Sequence, residues 1–155
     1  MRMKNSGAPV RILPPLLYVV PFLLAWLSTR WWTLPLHLGI VGRLLGLVVL
    51  AAGLGLMTWA FLTFRQHGTT VLPWGRVSKL ADDGPYAFTR NPIYLGDVLA
   101  YLGGALLIDS TLALFATPVI MAATYRLAIR HEESYLGETF GDDYLEYRRA
   151  VRRWL

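Results

Sequence analysis

The sequence predicts an all-α integral membrane protein of about four transmembrane helices, the third and fourth joined as a hairpin, with a C-terminal helix on the membrane interface. Three observations carry this expectation. Of the 155 residues, 55% are hydrophobic, and the mean hydropathy is +0.43; such an apolar excess in a single-domain length suits a bilayer better than water. The apolar residues gather into four runs separated by polar clusters. Finally, the fifteen Lys and Arg lie almost wholly on one side of a four-span layout, which is the positive-inside asymmetry.

The first run covers 12–28. It carries Pro14, Pro15 and Pro21, and the stretch from Trp26 to Trp32 has no small-residue cleavage pattern, so it reads as a span and not as a signal peptide. The second run, 44–64, is free of charge and meets the requirement of about 20 apolar residues outright. Gly39, Gly42, Gly46 and Gly53 fall on one helical face there, and Gly96, Ala100 and Gly104 do so in the third run; small residues let helix backbones approach closely, so both series read as packing seams. The third run, 92–108, is broken only by Asp97, and the fourth covers 111–129. The shorter runs need bundle partners or local adjustment of the bilayer. Asp109-Ser110-Thr111 supplies a turn and a helix cap between the last two.

Between the second and third spans lies a loop, 65–91, rich in Gly, Pro, Thr and charge; a loop of that length in a compact membrane protein is usually functional. The tail, 130–155, is polar. Gly137 and Gly141 interrupt it, and Asp142-Asp143 open a final helix that ends in Arg148, Arg149, Arg152 and Arg153, charges that complement the helix dipole. Tyr144, Tyr147, Val151 and Leu155 along one side place this helix on the inner leaflet, against membrane lipids.

With the N-terminus inside, every Lys and Arg except Arg30 and Arg43 falls on the cytoplasmic face of the inner membrane, and both termini are cytoplasmic. Trp26, Trp31 and Trp32 then mark the outer interface. The basic pI near 9.8 follows from this asymmetry and needs no nucleic acid. Cysteine is absent, which removes disulfides and thiolate ligands; His37, His67 and His131 are scattered without ligand spacing, so no metal is expected. The sequence leaves the oligomeric state open.

Chemistry concentrates in two polar knots. One runs from Gly84 to Gly96 and holds Tyr86, Arg90, Asn91, Pro92, Tyr94 and, one turn on, Asp97; the other is His131-Glu132-Glu133. Asn91-Pro92 is explained in part as a helix start, a cap followed by a proline at the first position. That does not account for two tyrosines and an arginine in the same few residues, nor for Asp97 inside a span, where a carboxylate needs a partner such as Arg90 or a ligand cation. Glu133 has a plain reading too, as a surface pair with Arg130. Spans three and four begin and end on the same membrane face, so the knots converge on one cytoplasmic pocket.

The run from Gly84 to Gly96, together with Glu132-Glu133 and Phe140 to Tyr147, resembles the isoprenylcysteine carboxyl methyltransferase family; related phospholipid N-methyltransferases share a weaker core of the pattern. The resemblance covers 68–155. It implies an S-adenosyl-L-methionine pocket built by Ser78, Lys79, Leu80, Ala81, Tyr86, Asn91, Pro92, Ile93, Tyr94, Glu132 and Glu133, and a lipophilic methyl acceptor entering from the bilayer. Two departures stand out. The eukaryotic motif has histidine where Asn91 stands, and asparagine cannot change charge near neutral pH. An arginine that holds the acceptor in the eukaryotic enzymes aligns with Ala128, flanked by Arg126 and Arg130.

Methyl transfer from a sulfonium to a carboxylate needs mostly alignment, and carboxylates or tyrosine faces can hold the cation. Arg126, ahead of Arg90, is then expected to orient an acceptor carboxylate. An amine acceptor would also need a base, with Asp97 or Glu133 as candidates. The alternatives are a phospholipid amine N-methyltransferase and a non-catalytic membrane protein that binds or assembles. A transporter would place its polar residues near mid-bilayer.

Overall fold

The structure is a computed structural model that describes residues 13–32, 35–68 and 79–155. Every regular element among them is helical: α1 (Leu16–Ser28), α2 (Gly39–Gln66), a 3₁₀ turn (Gly84–Ala87), α3 (Pro92–Leu107), α4 (Thr111–Thr124), a π turn (Tyr125–Ile129), α5 (Arg130–Phe140) and α6 (Asp142–Ala150).

The first helix begins after Pro14-Pro15 and closes with two hydroxyls: Ser28 Oγ donates to the Ala25 carbonyl at 2.7 Å and Thr29 Oγ1 to that of Trp26 at 2.6 Å, satisfying carbonyls that a helix end leaves open. At 28 residues, α2 extends beyond the charge-free run at both ends and spans about 42 Å at the standard rise. Its C-terminal turn is followed by Gly68 at φ +61°, a left-handed conformation that glycine adopts without strain.

The pairing of α2 with α3 is the most extensive among the described elements, and glycines set its closeness. A Cβ on Gly53 would stand 2.6 Å from the Ala100 amide nitrogen and 2.7 Å from the Gly96 carbonyl; one on Gly103 would stand 2.5 Å from the Leu50 nitrogen and 2.7 Å from the Gly46 carbonyl. The seam expected on α3 is corrected by one residue. Gly96 and Gly103 face α2, whereas Gly104 receives the Phe22 ring of α1. Gly39, at the other end of the expected series, is exposed, with φ +55° and nothing among the described residues within 4 Å of an added Cβ. Adjacent residues of a helix point about 100° apart, so Gly103 and Gly104 face two different neighbours. Tyr18 and Ala25 of α1 pack on Val98, Tyr101 and Ala105 of α3 and on Ala113 and Ile120 of α4, forming the main core.

The hairpin between α3 and α4 turns as the sequence predicts, with Ser110 Oγ accepting from the Ala113 nitrogen at 3.3 Å. Asp109, at φ +54°, also accepts from the Leu36 nitrogen at 3.0 Å, tying the α1–α2 connection to this end of the bundle. Asp109→Ala is expected to lower stability by about 1–2 kcal/mol, because the lost bond is charge-assisted and alanine resists the left-handed backbone. Thermal unfolding in detergent tests this; an unchanged Tm would show that the tie contributes nothing.

The apolar run ends near residue 129 as expected, but the helix that carries it does not. From Thr111 to Phe140 the chain is one continuous rod, passing through the π turn, a one-residue widening of the kind often found at functional sites. Gly137 is accommodated inside it, and only Gly141, at φ +55°, ends it. This rod and α2 are the two described helices long and apolar enough to cross a membrane; Leu16–Ser28 and Pro92–Leu107 are shorter apolar helices. Large apolar side chains point outward, among them Val48, Leu54, Phe115 and Val119, a surface that water would penalise and lipid would not. The final helix differs from expectation. Tyr144 is buried and the Tyr147 hydroxyl donates to the Tyr86 carbonyl at 2.9 Å, so two of the four residues assigned to lipid cover the polar knots, while Leu155 stays exposed.

Candidate active site

The two knots meet in one cavity of about 280 Å³. Leu80, Ala81 and Tyr86 come to it from the end of the loop, and Arg90, Asn91, Pro92, Ile93, Tyr94 and Asp97 from the start of α3. Glu132 and Glu133 come from the first turn of α5. Of the other residues singled out from the sequence, Lys79 and Arg126 are exposed and do not line it, and Ser78 lies outside the described residues. Arg126 projects from the π turn, which buries Ala128 and Ile129 and leaves the arginine outward.

Proline at the first position starts α3 at this cavity, but Asn91 makes no side-chain cap. Its amide Nδ2 donates instead to the Arg153 carbonyl at 3.1 Å. The Tyr94 hydroxyl donates to Glu132 Oε1 at 2.6 Å, a short bond of the charge-assisted kind. Glu133 does not pair with Arg130, which is exposed. Arg153 takes it in a two-pronged grip, Nε to Oε1 at 2.9 Å and Nη2 to Oε2 at 2.8 Å, and Arg90 Nη1 lies 3.1 Å from the same Oε1. Arg90 therefore serves Glu133 and not Asp97. Asp97 is buried, and its Oδ2 has no hydrogen-bond partner among the described residues. Burial holds the Tyr86 phenol protonated well above its usual range, reinforced by Tyr147 and Glu132 beside it; at neutral pH it is a neutral hydroxyl.

Several lining residues carried no signal in the sequence. Pro14 and Pro15 precede α1, Met57 and Phe64 are apolar positions of α2, and Tyr135 and Leu136 continue α5. Tyr144 and Tyr147 show helical spacing, yet spacing names a face and not what the face meets.

The pocket thus lies at the ends of apolar helices, walled by tyrosines and carboxylates and covered by the polar α6. The model of the phospholipid methyltransferase family matches residues 41–143, a stretch that contains most of this cavity, and the chain belongs to that family. It is 33% identical over 72 residues to a protein-S-isoprenylcysteine O-methyltransferase of Schizosaccharomyces pombe, covering 46% of this chain and 30% of that protein. Over 108 residues it is 28% identical to protein-S-isoprenylcysteine O-methyltransferase B of Arabidopsis thaliana, covering 68% and 55%. Over 98 residues it is 32% identical to the phosphatidylethanolamine N-methyltransferase of Homo sapiens, covering 62% and 49%. The chain thus spans from under a third to about half the length of these relatives. No solved structure matches it.

Proposed function

We propose that this protein transfers a methyl group from S-adenosyl-L-methionine to a lipid-borne acceptor at the cytoplasmic face of a membrane. The observation that carries the reading is that one cavity collects eleven of the fourteen site residues chosen from sequence, within a chain whose relatives are methyltransferases.

The residues present fit the cofactor. Apolar and aromatic walls from Leu80, Ala81 and Tyr86 suit a purine, and Glu132, fixed by Tyr94, suits a cationic centre. Among the described residues Arg90 Nε has no hydrogen-bond partner and Nη1 has only the ion pair with Glu133, which leaves room for an anionic group. When bound, the cofactor supplies a methyl group already activated on a sulfonium. Tyr94 keeps the Glu132 carboxylate oriented, the lid formed by α6 excludes water, and Pro14 and Met57 present apolar surface to a greasy acceptor.

For the acceptor, Asp97 favours an amine over a carboxylate. A buried carboxylate with an oxygen unpaired among the described residues repels an anionic acceptor and attracts an ammonium. Asp97 then takes the ammonium proton, exposing the nitrogen lone pair. With a carboxylate acceptor Arg90 would be the counter-ion, since Arg126 points away from the cavity. The test is transfer of labelled methyl from S-adenosylmethionine to phosphatidylethanolamine and, separately, to a prenylated cysteine acid. The amine lipid should be methylated, and Asp97→Asn should slow turnover by about 100-fold, the scale of a lost general base. Transfer to the prenylcysteine alone assigns the carboxylate chemistry. Failure of the folded protein to bind the cofactor or methylate either acceptor rejects the reading.

The four-crossing topology belongs to the same proposal. Reporter fusions at residue 1 and residue 155 should be cytoplasmic, and one at the Asp109 turn should be external. A cytoplasmic Asp109 turn would rule the arrangement out.

A further inference from the structure

We propose that Arg153, in the tail beyond α6, is a positioning residue that keeps Arg90 open for an oxyanion in the cavity. Arg153 itself does not line the cavity; its influence passes through Glu133 and the turn before α3. The inference rests on the functional reading above for the identity of the ligand, but not for the clamp itself.

Three consecutive residues of the turn are tied to two consecutive carbonyls of the tail. The Arg90 nitrogen donates to the Arg152 carbonyl at 2.9 Å, and Thr89 Oγ1 and Asn91 Nδ2 donate to the Arg153 carbonyl at 3.0 and 3.1 Å. The Arg153 guanidinium sits 4.8 Å over the Tyr125 ring while both its prongs hold Glu133. The consequence falls on Arg90. Its side chain is only 8% exposed and lies 3.1 Å from Glu133 Oε1, yet that ion pair is not aligned as a hydrogen bond, and among the described residues neither Nε nor Nη1 has a hydrogen-bond partner. A carboxylate has two oxygens, and the geometry that pairs both with one guanidinium excludes the same fit with a second. With Glu133 turned toward Arg153, Arg90 keeps its charge, its burial and donors to spare. Without Arg153, Glu133 is free to turn and grip Arg90 instead, closing the place of the incoming anion.

The anion is the cofactor's amino-acid carboxylate or a lipid phosphate, and two probes separate them. S-adenosylhomocysteine carries the carboxylate; 5′-methylthioadenosine has the same nucleoside without it. In titrations of the purified full chain, Arg153→Ala should weaken S-adenosylhomocysteine by about tenfold, the scale of one charge-assisted bond, and leave methylthioadenosine unchanged. Arg153→Lys, a point charge without the fork, should recover part of the loss. Weaker binding of inorganic phosphate, with both nucleosides unaffected, assigns the anion to a lipid. Equal weakening of both nucleosides, or no change with any probe, overturns the proposal. If the wild-type protein binds neither nucleoside, the functional reading fails, and the clamp is decided by thermal unfolding of the ligand-free protein. Tm shifts of Arg153→Ala and Glu133→Gln that do not add uphold it, and additive shifts overturn it.

Discussion

Tyr94→Phe should bind S-adenosylmethionine about ten- to hundredfold more weakly than the wild type, a loss of about 1.5–3 kcal/mol. The phenylalanine preserves the ring that packs on Ala128 and Ile129 and deletes only the hydroxyl that donates to Glu132 at 2.6 Å. A carboxylate on an enclosed helix turn is then left with one polar partner fewer, and it stabilises itself by taking a proton or turning away. Either response removes the negative charge proposed to face the cofactor. Glu132→Gln removes that charge directly and should cost a similar amount. Because hydroxyl and carboxylate act as one unit, the double variant should lose little more than the worse single variant. Calorimetric titration of folded protein measures all three. If both single variants bind as the wild type does, the pair stands outside the cofactor site.

The second large effect is expected in the α2–α3 seam. Glycine to alanine inside a helix normally stabilises, by about 0.5–1 kcal/mol. At Gly53 and Gly103 the sign should reverse, with a cost of about 1–3 kcal/mol, the range of overpacking. The added methyl would meet backbone atoms of the facing helix, 2.5–2.7 Å away, and backbone cannot turn aside as a flexible side chain can. Gly55 is the internal control, since nothing among the described residues lies within 4 Å of its added Cβ. Gly55→Ala should hold or raise Tm, whereas Gly53→Ala and Gly103→Ala should lower it by several degrees. Equal behaviour of the three variants would mean that the helices are not packed at this distance. The seam also bears on the site, because Met57, which lines the cavity, is the side chain that a Cβ on Gly96 would strike.

Much of the architecture is legible along the chain because it depends on local chemistry. A charge-free run of apolar residues demands a helix whatever surrounds it. Pro92 at the head of α3 and Ser110 at the head of α4 work through their own backbone neighbourhood. Glu132 and Tyr94 are legible because polar groups at the ends of apolar helices are costly unless used. That cost attaches to single residues whatever the fold around them.

What the sequence by itself determined, then, is the helical class, the two polar knots and most of the residues that line the cavity. Only the tertiary structure decided which groups pair. Glu133 has Arg130 three residues away, yet it is held by Arg153 and approached by Arg90. Asn91 caps nothing and reaches the tail; Arg126, one π turn above the knot, points outward. The reason is that a guanidinium on a long stem has many carboxylates within its reach, and local propensity does not rank them. The ranking comes from where α6 and the tail after it settle on the turn before α3. That docking is fixed by the burial of Tyr144, the Tyr147 bond to the Tyr86 carbonyl and the tail carbonyls, contacts between residues about sixty positions apart that no local pattern encodes.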